Sequence, residues 1–206
     1  MYHANNIRFK RFFIASLIQE AVFTGLTIFL VTSQVSFLKP EISRVIASGN
    51  AGTWFLLGYL MYLGIGVFGV TITSFIYSHL SSNPDMEQKP KGIRNVMAWG
   101  HFILMNSGIV LTCGLLMYGG YLAGASMLPV DVGGKGFTSD EAHTILGPLK
   151  EPIGFSIITI AVGVLFGGAG FIISVVQNRK YLLYSQTSQY GSRKKSFKYN
   201  NVDLLF

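Results

Sequence analysis

Half of the 206 residues are apolar, only 12% are charged and the mean hydropathy is positive, a balance that excludes a soluble globular domain. The formal charge of +7 does not point to nucleic acid, because the basic residues flank apolar stretches instead of forming a stripe on a soluble surface. A single cysteine, Cys113, excludes an intrachain disulfide and, lying within an apolar stretch, reads as a small packing residue.

In chain order, residues 1–11 are a basic arm containing Arg8, Lys10 and Arg11. The first predicted span, 12–38, is too long for the apolar core of a signal peptide and lacks a small-residue cleavage site, so it is expected to remain as a helix. Glu20 interrupts its first half, and Lys39-Pro40 ends it because proline has no donor for a helix interior. A connector follows, with a short interfacial helix expected over Ile42, Val45 and Ile46. Spans 53–82 and 96–127 form a hairpin around a basic turn from Pro84 to Asn95. Each exceeds the ~20 residues that cross a hydrocarbon core. The loop 128–152 is rich in glycine and carries Asp131, Asp140 and Glu141, and a fourth span, 153–178, opens after Pro152. Residues 179–206 form a basic tail. The fold expected is an all-α integral membrane protein, a four-helix transmembrane bundle over 12–178.

Loop charge sets the expected orientation. The arm, the hairpin turn and the tail hold all but Lys39, Arg44, Lys135 and Lys150 of the 16 lysines and arginines. Positive-inside bias then places both termini in the cytoplasm, in a multi-pass protein of the cell membrane, with 128–152 external. The tail cluster Arg193-Lys194-Lys195 and Lys198, interleaved with Tyr190, Phe197 and Tyr199, is expected to attract anionic lipid or to lie on a partner subunit. Trp54, Trp99, Tyr118, Tyr121, Tyr181 and Tyr184 sit near span ends, as an interfacial belt does. Gly120 and Gly124, and Gly163 and Gly167, have the four-residue spacing that lets helices approach closely in lipid.

Three ionisable groups fall inside the expected membrane region: Glu20, His79 and His101. Counted from the nearest charged residue, they lie roughly 13, 9 and 10 Å deep, at a similar level on one side. Glu20 is expected to face the bundle interior or a partner. It reads as a proton relay with Asn106, as a metal ligand, or as a structural glutamate bonded to Gln19, Asn106 or a histidine. His79 and His101 support three readings: axial ligands of a heme b with Gly100 and Gly108 leaving room for the macrocycle, metal ligands with Glu20, or interfacial residues satisfied locally. No Walker loop, dinucleotide fingerprint, HExxH or nucleophile elbow is present, so no catalytic activity of its own is expected.

The runs from Leu57 to Gly69 and from Ala98 to Gly108 resemble, in texture, helices of heme-copper oxidase subunit I and of small membrane proteins found with archaeal respiratory oxidases. That catalytic subunit has twelve helices and a set of histidines for two hemes and a copper; four spans and four histidines, with His3 and His143 outside the spans, do not make one. The resemblance implies membership of a respiratory or other energy-transducing redox complex. The chain would be a non-catalytic subunit packed against larger membrane subunits, or a small heme b carrier; a proton or metal pathway through Glu20 is the third alternative.

Overall fold

The computed structural model describes residues 7–81 and 92–200, with side chains over 10–78 and 92–176 apart from Arg94. It is 90% helix, with no strand among the described residues. The helices are α1 (Ile7–Ser36), α2 (Ile42–Ala47), α3 (Thr53–Met61), α4 (Val70–Ser81), α5 (Gly92–Met127), α6 (Ser139–Leu146) and α7 (Lys150–Asn200). A π-helical segment, Tyr62–Gly69, joins α3 to α4 without a break. Four helical stretches are long and apolar enough to cross a membrane: Lys10–Ser36, Asn50–Ser78, Asn95–Met127 and Ser139–Val176. They overlie the four expected spans. The fourth helix does not stop near Asn178 but runs on to Asn200, because residues 179–200 contain no proline and only one glycine, Gly191.

The bundle is organised around α5, which packs antiparallel to α3 on one side and to α7 on the other. Glycine makes both seams close. A Cβ at Gly58 would lie 2.9 Å from the Cys113 carbonyl, and one at Gly124 would lie 2.7 Å from Gly52 Cα. Toward α7, a Cβ at Gly163 would lie 2.8 Å from Met105 N, and one at Gly108 would lie 2.9 Å from Ile160 N. Lipid tails are as apolar as leucine, so helices in a bilayer associate through such tight contacts and through hydrogen bonds between them. Thr112 supplies one of these bonds, its hydroxyl donating to Ser156 Oγ at 2.8 Å between α5 and α7.

The π-helical segment accommodates what α-helical spacing would not. Tyr62 and Val70 are both buried and eight residues apart, whereas two α-helical turns take about seven. Its wider turns, allowed by Gly64, Gly66 and Gly69, keep Tyr62, Val70 and Ser74 on the core side of one continuous span. Helix α1 leans on α4 and on this segment. Its buried stripe is Phe12, Ala15, Ser16 and Gln19.

One end of the bundle is closed by the connectors themselves. Ala142 and Leu146 of α6 pack on Ala51 and Ala123, and all four are buried. The segment before α6 is tied down by main-chain bonds, Phe137 N to Ser126 O at 2.9 Å and Gly136 N to Leu128 O at 2.8 Å. Tyr121 donates to the Pro40 carbonyl at 3.2 Å. Nearby, Glu41 pairs with Lys39 and, at 3.0 Å, with Arg44. The Lys39 hydrogen bond foremost, with the Glu41 backbone and the Arg44 charge adding to it, holds the Glu41 carboxyl below its ordinary range. Thr138 and Glu141 form a reciprocal cap at the start of α6, Thr138 N donating to Glu141 Oε2 at 2.8 Å. Thr138→Ala is expected to cost α6 about 1 kcal/mol, which appears as a roughly fivefold loss of amide-exchange protection confined to 139–146.

Candidate functional site

His101 stands where all four spans meet. Its ring is buried and tilted against Phe12 of α1, with centroids 5.2 Å apart, and 6.4 Å from Tyr77 of α4. Phe12 in turn stacks on Tyr77 at 4.9 Å and meets Phe102 edge-on at 5.3 Å. On the α7 side the imidazole lies in the notch left by Gly163 and Gly167. A Cβ at Gly167 would come within 2.6 Å of Nδ1. The glycine pair thus serves helix packing and also makes the seat of a side chain.

His101 Nδ1 lies 2.7 Å from the Gly163 carbonyl. A carbonyl oxygen only accepts, so Nδ1 carries the proton, and in the neutral ring Nε2 keeps its lone pair. Imidazoles that bind metals are oriented in this way. The space a macrocycle would need beside the two glycines is, however, filled. A Cβ at Gly100 would meet the Phe166 ring at 2.7 Å, and one at Gly108 would meet Ile160 Cγ1 at 2.7 Å. His79 lies on α4, and its side chain falls outside the described residues, as do His3 and the side chains of the tail cluster. Among the described residues, no three His, Cys, Asp or Glu side chains gather as metal ligands.

Glu20 and His101 are not at one level. The Arg11 guanidinium lies 4.1 Å from the centre of the Trp99 ring, so Arg11 is level with Trp99 and not with Arg94. His101 is then only two residues, roughly 3 Å, past that level, whereas Glu20 is nine residues, roughly 13 Å, past it. Counting each depth from the nearest charge misplaced the spans relative to one another, because α5 begins at Gly92, before the bundle does. Glu20 is exposed, makes no hydrogen bond or ion pair to the described residues, and belongs to the outer flank of α1.

Its neighbour Gln19 points inward and forms a polar chain that composition had not singled out. The Tyr62 hydroxyl donates to Gln19 Oε1, Gln19 Nε2 donates to Asn106 Oδ1 at 3.1 Å, and Asn106 Nδ2 donates to the Phe102 carbonyl at 2.7 Å. The chain joins α1, the π-helical segment and α5. Its amides are neutral and its bonds cross from α1 to the π-helical segment and to α5, so it positions these helices. Asn106 is consumed in it and has no bond to Glu20. The readable signal was the α1 stripe of Phe12, Ala15, Ser16, Gln19 and Phe23, which puts Gln19 on the packed face. In a Gln19→Leu and Asn106→Leu double-mutant cycle, unfolding in detergent is expected to show a coupling of about 1 kcal/mol. On α4, Ser74 is buried with its hydroxyl unpaired among the described residues.

No protein-family description matches the chain, and no curated protein or solved structure is significantly similar to it.

Proposed function

We propose that this protein is a non-catalytic integral membrane subunit of a respiratory or other energy-transducing redox complex, packed against larger subunits. The observation that carries the reading is Glu20, a carboxylate on the outer flank of a membrane span with no partner among the described residues of its own chain. Left ionised against lipid, such a group costs about 3 kcal/mol on insertion scales. A neighbouring protein removes that cost. Supporting it, only 17% of the most apolar stretch of the first span and 11% of the fourth are buried within the chain, against 39% of the third. The redox assignment is supported by the helix texture of 57–69 and 98–108. Loop charge supports cytoplasmic termini, with the tail beside anionic lipid. The heme b carrier is the weaker reading, because Phe166 and Ile160 occupy the space beside Gly100 and Gly108.

Purification of the tagged chain from native membranes in mild detergent tests the proposal. Larger membrane proteins at fixed stoichiometry, with the absorption bands of redox cofactors, are the expected result. A chain that migrates alone overturns it, and a complex without redox cofactors removes the energy-transducing part.

A further inference from the structure

The direction in which Glu20 points is set by its surroundings. Gln19 is held to Tyr62 and Asn106, and Phe12 is held among His101, Tyr77 and Phe102, so α1 cannot turn about its own axis. Glu20, one residue past Gln19, is therefore fixed on the flank, about 100° from the inward direction. Thr24, one turn on and about 40° round the helix, is exposed beside it. The hydroxyls of Thr27 and Thr32 bond to their own helix, whereas that of Thr24, one turn past Glu20, makes no such bond. The flank therefore combines a negative charge and, one turn on, a hydroxyl with no bond to the described residues, set among the exposed apolar side chains of Leu17, Ile28 and Val31 inside the membrane region.

We infer that this flank of α1 receives one transmembrane helix of a different protein, bearing a single lysine or arginine level with Glu20. The inference rests on reading the chain as a subunit of a larger assembly. A helix is required because a spanning segment in lipid must satisfy its own backbone. Thr24 offers it a hydrogen bond. The cation is required because an ionised carboxylate only accepts hydrogen bonds and, in a low dielectric, is neutralised by an opposite charge at contact distance. A second copy of this chain does not supply that charge. Spans 12–38, 53–82, 96–127 and 153–178 contain no lysine or arginine, and two parallel copies would bring like carboxylates to the same depth.

Photo-crosslinking in native membranes tests the inference. A photoreactive residue is placed in the full chain at Leu17 or Ile28 on this flank, and at Leu165 on α7 for comparison, all three being exposed. The expected result is an adduct from Leu17 and Ile28 with one protein whose contacted helix carries Lys or Arg. Its yield falls about tenfold in Glu20→Lys and returns when that partner cation is exchanged for glutamate. Because Glu20 bonds to nothing described in its own chain, Glu20→Lys is expected to leave unfolding of the purified chain unchanged. Adducts of the chain with itself, adducts with a helix lacking a cation, or an unchanged yield in Glu20→Lys overturn the inference. If larger proteins co-purify while the α1 positions stay silent, this inference alone fails; if the chain also purifies alone, the subunit reading fails with it.

Discussion

Gly120→Val is expected to force α3 away from α5 and to lower the stability of the purified chain by about 3 kcal/mol or more. The first added carbon would lie 2.2 Å from Phe55 N and 2.8 Å from the Trp54 carbonyl carbon. Both are backbone atoms, so no change of rotamer relieves the overlap, and two helices must separate along a seam that Gly58 and Gly124 also keep tight. Loss of contact then spreads to the buried Ala51, Ala123 and Leu146 at the adjoining end. Gly114, on the same helix, has nothing within 4 Å of an added carbon. Gly114→Ala is accordingly expected to be neutral, or to stabilise by up to about 1 kcal/mol through helix propensity. Unfolding of the two variants in one detergent measures the contrast. Equal stability would mean that α3 and α5 do not approach as described.

The second large effect belongs to His101. His101→Ala removes a buried ring that touches α1, α4 and α7 and leaves the Gly163 carbonyl without its side-chain donor, a loss of about 3 kcal/mol. Gly167→Ala is expected to cost about 2 kcal/mol for the opposite reason, since the added methyl would press on Nδ1 and Cε1 at 2.6 and 2.7 Å. The informative case is the double variant. With the ring gone the methyl at 167 has space, so Gly167→Ala becomes nearly neutral in the His101→Ala background. Additive losses would show that ring and glycine do not share the notch.

The four spans were legible because an apolar window longer than the hydrocarbon core leaves few alternatives for the chain. The packing role of Gly120, Gly124, Gly163 and Gly167 was legible too, from spacing alone. That spacing did not say that the Gly163–Gly167 notch would hold an imidazole, since nothing in one helix records what its neighbour inserts. The π-helical segment was not legible either: Tyr62–Gly69 has an apolar, glycine-rich composition that fits α-helical turns equally well, and only packing of Tyr62 and Val70 on one face selects the wider turn. Relative depth failed for a related reason. Arg94 and Arg11 look like equivalent boundary charges in the sequence, but Arg11 pairs with Trp99, and that contact, made between distant segments, sets the level. Glu20 was expected to face the interior or a partner; the inward turn of Gln19 removes the first.

The α6 lid covers one end of the bundle. Ala51, Ala123, Ala142 and Leu146 pack four buried apolar side chains between α6 and the bundle, a contact that offers water no hydrogen bond on the way to the amides and phenol deeper in. Solvent that reaches Tyr62, Gln19 and Asn106 is therefore expected to enter from a direction other than the α6 side. Solvent isotope exchange at those side chains should therefore be unaffected by changing the medium on the α6 side of a sealed vesicle.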